Sequence, residues 1–160
     1  MLYIIRNSMR KLILITTLAF ASLYSNAQGN PEISMSFNHV ALSVKNVDIS
    51  AEFYSQVLGL KEIVNRTKKE GRRWLSLGED KELHLISGEE GEVTINKAVH
   101  FAMTTSTFDA FIANLQSRYL VYSSWEGESG KITIRADGVR QVYIQDPDGY
   151  WIEINSVAQM

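Results

Sequence analysis

Two stretches of this chain follow the same order. Residues 36–87 and 97–157 each read as a strand, a helix and then further strands. Overlaying their starts puts His39 on His100, and overlaying their last strands puts His84 on Glu153. An internal repeat of about sixty residues accounts for both overlays at once. This restricts the fold more than any single motif, because the two halves must adopt one plan.

In the first half, "SFNHVALSV" (36–44) alternates as a half-buried strand. "VDISAEFYSQVLG" follows with apolar residues at helical spacing, Asp48 or Ser50 as the cap and Gly59 as the stop. "LKEIVNR", "RRWLSLG" and "KELHLIS" are strand candidates, punctuated by Gly71 and the Gly78-Glu79-Asp80 corner. Residues 88–96 are rich in Gly and Glu and read as a surface linker, with Glu89, Glu90 and Glu92 as solvated charges. The second half restarts with "VHFAMTT" as a strand and "STFDAFIANLQSR" as a helix capped by Ser or Thr. "LVYSSWEG", "KITIRAD", "VRQVYIQ" and "YWIEINS" supply further strand material. Asp137-Gly138 and Asp146-Pro147-Asp148-Gly149 mark turns, and Asp146 and Asp148 are expected to cap theirs. Arg72 and Arg73 read as a solvated edge.

The start of the chain has the layout of a signal peptide. Arg6, Arg10 and Lys11 precede the mostly apolar run Leu12–Tyr24, and Ser25-Asn26-Ala27 offers a small-x-small cleavage site. The run is too short and wrongly flanked for a stable membrane span, and "MRKLILITTLAF" from Met9 is a complete signal start by itself. The expected organisation is therefore a signal peptide at 1–27, a short segment at 28–35 and one domain at 36–157. The product is exported, to the periplasm or beyond, with no membrane attachment after cleavage. Removing residues 1–27 leaves 133 residues carrying 13 basic and 18 acidic side chains, a net charge of −5. A mildly acidic exported domain is a poor candidate for nucleic acid. With no cysteine, it needs neither a disulfide nor a reducing compartment.

Strand parity sorts the side chains by face, since successive residues point to opposite sides. In the first strand Val40, Leu42 and Val44 oppose His39, Ala41 and Ser43. In "ELHLI", Leu83 and Leu85 oppose His84; in "VHFAMTT", Val99, Phe101 and Met103 oppose His100; in "YWIEINS", Ile152 and Ile154 oppose Trp151, Glu153 and Asn155. The helices are expected to cover the Val/Leu/Ile faces. All three histidines of the chain and one carboxylate then fall at equivalent strand positions on the less apolar faces. Imidazoles and a carboxylate converging from four strands suit one divalent transition metal: Zn, Ni, Mn or Fe. Such an ion would also offset the cost of burying Glu153. By the same parity Trp74, Gln141, Tyr143 and Trp151 face the cleft, Tyr143 as a donor to substrate, Trp74 or Trp151 as an apolar wall.

"FNHVALSVKNVDISAEFYSQVLGLKEI", "LHLI", "HFAM" and "DGVRQVYIQDPDGYWIEI" together resemble the vicinal oxygen chelate superfamily, over nearly the whole mature chain. That superfamily includes glyoxalase I, fosfomycin-resistance proteins, methylmalonyl-CoA epimerase and extradiol dioxygenases. The resemblance implies an α+β fold of two βαβββ modules, curling into an open, U-shaped mixed sheet around a metal cleft with helices on the outer face. It places metal ligands at His39, His84, His100 and Glu153. Glyoxalase I usually carries Glu or Gln where this chain has His84, and dioxygenases and fosfomycin enzymes generally use only the other three ligands. Two arrangements are therefore open: a closed cage of three His and one Glu, or a His39–His100–Glu153 triad with His84 nearby.

The activity implied is that of a glyoxalase-like lyase or isomerase, acting on a small molecule that chelates the metal through adjacent oxygens. Glu153 is the first choice of base and His84 the second. The alternatives are an extradiol-type Fe(II) dioxygenase and a non-catalytic drug-binding protein of the bleomycin-resistance kind. A homodimer is expected, because relatives cover their open sheets by pairing subunits.

Overall fold

The computed structural model describes residues 33–88 and 94–157. The signal-type segment 1–27 and the acidic cluster Glu89, Glu90 and Glu92 lie outside them. A compact unit begins at Phe37. Its first module runs β1 (His39–Ser43), α1 (Val47–Leu58), β2 (Glu62–Ile63), β3 (Arg72–Gly78) and β4 (Lys81–Ile86). The second runs β5 (His100–Thr105), α2 (Phe108–Ser117), β6 (Thr133–Ile134), β7 (Arg140–Gln145) and β8 (Trp151–Ser156). Each module forms a four-stranded mixed sheet, in the orders β1-β4-β3-β2 and β5-β8-β7-β6. The expected α+β architecture of two βαβββ modules is the one observed.

The first and last strands of each module pair in parallel, and the helix supplies the crossover such pairing requires. His39 lies opposite Glu82 and Ala41 opposite His84; His100 lies opposite Trp151 and Ala102 opposite Glu153. The registers keep the parity read from the sequence. Val40, Leu42, Leu75, Leu83 and Leu85 share one face of the first sheet, and Phe101, Met103, Val142, Ile144, Ile152 and Ile154 share one face of the second. These faces join Ala51, Tyr54 and Val57 of α1 and Phe108, Ile112 and Leu115 of α2 in a single apolar cluster. The spacing of three or four residues on each helix sets one stripe toward that core.

Local signals account for most boundaries. Helix α1 is capped by Asn46, whose side chain accepts from the backbone N–H of Asp48 (2.9 Å) and Ile49 (3.2 Å). The expected caps Asp48 and Ser50 lie inside the helix instead, Asp48 in its first turn, where a carboxylate suits the dipole. Gly59 ends the helix in the left-handed conformation, at φ 69°. Glu79 and Asp80 both have positive φ and close the β3–β4 hairpin as a two-residue turn.

Three strand expectations shrink. "LKEIVNR" and "KITIRAD" each keep two strand residues. "LVYSSWEG" forms no strand: Ser123 makes isolated bridges to Tyr143 and Ser129. The cause is a tight reversal in which the Ser124 hydroxyl accepts from Glu128 N (3.3 Å) and the Ser124 carbonyl accepts from Gly127 N (3.1 Å). Nor is Arg73 a solvated edge. It is half-buried, bridging Glu62 on β2 and Asp48 on α1.

The modules are also tied through the DPDG turn. Asp146 Oδ1 accepts from Asp148 N (2.9 Å) and Tyr150 N (2.8 Å), the turn-capping role expected of it. Its other oxygen accepts from the Tyr54 hydroxyl of α1 (2.8 Å). Asp148 reaches the same helix, accepting from Lys45 N (2.9 Å) and the Ser50 hydroxyl (2.8 Å).

Candidate functional site

The polar faces of the two sheets carry the residues singled out by parity, and the structure gathers them as two groups. On the second sheet, Glu153 is buried at 8% exposure in the centre of β8. Its Oε2 accepts from the Tyr143 hydroxyl and lies 3.2 Å from His100 Nε2, and its Oε1 accepts from Asn155 Nδ2 (2.7 Å). Gln141 Nε2 in turn donates to the Tyr143 hydroxyl. Tyr143 itself is buried, and burial followed by its hydrogen bond to Glu153 pushes its hydroxyl well above the usual tyrosine range.

A carboxylate oxygen and an imidazole nitrogen at 3.2 Å attract one another once a proton or a cation lies between them. The spacing suits an ion: two ligands at about 2.1 Å from one metal, at tetrahedral or octahedral angles, sit about 3.0–3.4 Å apart. His100 Nδ1 is bonded to the Lys97 carbonyl at 2.8 Å. A carbonyl only accepts, so Nδ1 carries the hydrogen and Nε2 is the nitrogen left to bind. This is the outer support metal-bound histidines usually have. These are two donors of kinds that divalent metals take, one imidazole nitrogen and one carboxylate oxygen.

A loop and a lysine complete this group. Trp125 sets its ring edge-on to His100 (6.2 Å between centroids) and tilted against Tyr143 (5.6 Å). The Lys97 ammonium lies 4.5 Å from the Trp151 centroid and is bonded to Ser123 Oγ (3.2 Å), Ser124 O (2.9 Å) and Trp125 O (3.3 Å). It pins the 123–125 turn over the sheet. The half-buried Trp151 is thus one face of a cation–π contact, worth about 0.5–2 kcal/mol.

The first sheet holds His39, His84 and Trp74. His39 is exposed at the edge strand, with Nδ1 bonded to Asn38 Oδ1 at 2.7 Å. His84, half-buried on the neighbouring strand, has Nε2 bonded to Glu82 Oε2 at 2.8 Å. Arg66 Nη2 donates to the other oxygen of Glu82 at 2.6 Å. The bond from His84, then that from Arg66, hold the Glu82 carboxyl below its usual range. Trp74 is buried and stacked on His84, so its ring is packed in the sheet face instead of forming a free wall.

Four ligand-type residues were expected around one ion; within the chain they form two pairs, His39 with His84 and His100 with Glu153. Among the described residues no three His, Cys, Asp or Glu side chains are arranged to hold a metal. The reason is visible in the order of strands. His39 and His84 belong to one sheet and His100 and Glu153 to the other, and the apolar faces of both sheets, not their polar ones, join in the shared core. Glu82, Arg66, Lys97, Trp125 and Asn155 were not singled out from the sequence. Glu82 and Asn155 share strand parity with His84 and Glu153 and were open to the same reading. Lys97 and Trp125 lie outside strands, where no period applies.

The family model described as Glyoxalase/Bleomycin resistance protein/Dioxygenase superfamily matches residues 36–154. The protein YwbC of Bacillus subtilis (strain 168) is 30% identical over 122 residues, which cover 72% of this chain and 93% of that one. The Arabidopsis thaliana protein Glyoxylase I 4 is 31% identical over 134 residues, covering 79% of this chain and 73% of its own length. Among solved structures, Oxidase ChaP-H2 superposes with a TM-score of 0.65 at 23% identity, over 78% of this chain and 94% of the other, a likeness that bears on the fold. With its paired modules and a family match spanning both, the chain belongs to the glyoxalase/bleomycin resistance protein/dioxygenase superfamily.

Proposed function

We propose that the protein is a metal-dependent lyase or isomerase of the glyoxalase kind, acting on a small molecule that offers two adjacent oxygens. The observation that carries the reading is the matched state of His39 and His100. These occupy equivalent positions of the repeat, and each has Nδ1 held by an oxygen and Nε2 left to bind. Glu153 supplies the anionic oxygen beside His100. The similarity to Glyoxylase I 4 supports the same class of reaction.

A bound divalent ion supplies Lewis acidity that stabilises negative charge developing on substrate oxygen. Everything else falls to side chains. The Glu153 carboxylate is the base that takes a proton from the carbon beside the substrate carbonyl and returns it, a role for which it must turn from the position beside His100. The Tyr143 hydroxyl, backed by Gln141, donates to Glu153 Oε2. Asn155 donates to the other oxygen and orients the carboxylate. Trp125 narrows the approach over His100 and Tyr143.

Because the two pairs do not meet within one chain, the reading includes a homodimer in which the first module of one subunit faces the second module of the other. It also includes export, on the signal-type layout of residues 1–27. Outside the cytoplasm a hemithioacetal of glutathione is a poor substrate choice, and hemithioacetals of other small thiols are preferred. An extradiol-type Fe(II) dioxygenase is the second reading. It is favoured by donor type: two histidines and one carboxylate are the ligands of facial iron sites, and the proposed subunit pairing would bring them together.

Metal analysis of untagged protein, followed by assays on the loaded protein, tests both. The proposal expects about one ion per chain and turnover of hemithioacetals that Glu153→Gln lowers at least about a hundredfold. Iron with dioxygen uptake on catechols would select the second reading, and protein that binds no divalent ion would sink both.

A further inference from the structure

The three tryptophans are engaged to different degrees. Trp74 is buried and stacked on His84 (4.0 Å between centroids, 9° between planes), with the Arg66 guanidinium 4.7 Å from its own centroid. Trp151 has the Lys97 ammonium at 4.5 Å. Trp125 keeps 46% of its surface exposed, and its ring neighbours His100 and Tyr143 stand at 64° and 59° to it. Among the described residues no ring is stacked on Trp125 and no cation lies over it. Its neighbours are also those of Glu153: Tyr143 donates to that carboxylate and His100 lies 3.2 Å from it. A group resting on this indole therefore lies beside the proposed reacting oxygens.

The open ring is also held still. An ammonium has three N–H donors, and Lys97 meets three acceptors in the turn that carries Trp125: Ser123 Oγ (3.2 Å), Ser124 O (2.9 Å) and Trp125 O (3.3 Å). Ser123 exchanges two backbone bonds with Tyr143, both 2.9 Å, and Ser124 is fully buried. A large apolar side chain left half in water adds little to the fold, while fixing its turn costs conformational entropy. A ligand gains from the same arrangement, because a ring already in place adds contact area with no ordering cost on arrival.

We propose that Trp125 determines specificity, selecting substrates whose two adjacent oxygens carry a flat, uncharged apolar group such as an aryl ring. Flatness follows from the indole, which favours offset stacking with another ring. Neutrality follows from two repulsions. The Lys97 ammonium, bonded to the Trp125 carbonyl, opposes a second cation over the ring, and the negative face of the indole opposes an anion. Lys97 is a positioning residue that acts through the turn. The wall role expected of Trp74 or Trp151 thus passes to a residue outside the strands. This inference rests on the metal-dependent reading above, and it deepens that reading by naming the substrate class.

Lactate and mandelate are the probes, on the full chain loaded with Co(II). Both offer a hydroxyl beside a carboxylate, and mandelate carries a phenyl group where lactate has a methyl. Titration calorimetry should show mandelate binding at least about tenfold tighter than lactate. Trp125→Ala should bring the two acids within about twofold, and Trp125→Phe should keep a preference of about threefold or more. Lys97→Met, which releases the turn, should lose most of the preference. Lactate affinity should stay within about threefold of the parent in all three variants. A merely structural role would weaken both acids alike. Such an equal loss, or a preference kept in Trp125→Ala, would overturn the inference and leave the metal-dependent reading standing. A parent that binds neither acid would also overturn it, and one that binds no Co(II) would sink the metal-dependent reading.

Discussion

Asp146 shows how far one side chain's role depends on partners remote in sequence. From the chain alone it is a turn residue, and it does cap its own turn through Asp148 N and Tyr150 N. Its bond to Tyr54, 92 positions away, follows from the packing of the modules. Burial outweighs these bonds and pushes its carboxyl above the ordinary value of 3.8. The native state therefore keeps a proton that the unfolded chain has already released. The stability this group contributes is full below 3.8 and is lost as pH rises through the native value. Asp146→Asn should remove that decline, so the stability difference between variant and parent should move in the variant's favour as pH rises. Urea titrations from about pH 3 to 6 would measure it; a difference independent of pH would contradict the assignment. Residue-level features were legible where period two applied. His39, His84, His100, Glu153, Gln141, Tyr143, Trp74 and Trp151 all lie on the faces that parity gave them. Whether a ring is a free wall or a packed layer was not, because that is decided by neighbours on adjoining strands, as Trp74 shows against His84.

At the scale of elements, helix α1 is fixed at its first turn from two directions. Asn46 caps it from its own chain end, and Asp148 reaches over from the turn between β7 and β8 to Lys45 N and the Ser50 hydroxyl. Loss of the cap in Asn46→Ala should cost about 1 kcal/mol. Asp148→Ala should cost about 1–3 kcal/mol, since it removes two bonds to a charged carboxylate, from Lys45 N and from the Ser50 hydroxyl, which keeps only the Asn46 carbonyl (3.1 Å). Both changes loosen the same turn, so their combined effect in chemical denaturation should fall short of the sum by more than about 0.5 kcal/mol. Strict additivity would mean that the two supports act on separate elements. Strands and helices were legible where hydrophobic period and stop signals agreed, as in β3, β4 and α1. Agreement failed at "LVYSSWEG", whose strand-like composition is overruled by a reversal at Ser124 that only the folded chain reveals.

The whole molecule turns its apolar sheet faces inward, in one shared cluster, and leaves both groups of polar ligand-type residues on the opposite faces. If the proposed homodimer forms, static light scattering of the protein at micromolar concentration should return twice the chain mass, and mixing His39→Ala with Glu153→Gln subunits should restore activity that neither has alone. A monomer that binds metal and turns over substrate would contradict the shared-site arrangement. Duplication was readable as a plan, but not as a pairing scheme, because a repeat says what the halves share and not which faces meet. The two copies also differ in how they secure their histidines. His39 is steadied by the side chain of Asn38, His100 by the main-chain carbonyl of Lys97. Substitution at position 38 can erase the first support, whereas no replacement at position 97 deletes a peptide oxygen. One half of the duplicated protein is thus open to evolutionary drift at this point, and the other is shielded from it by its backbone.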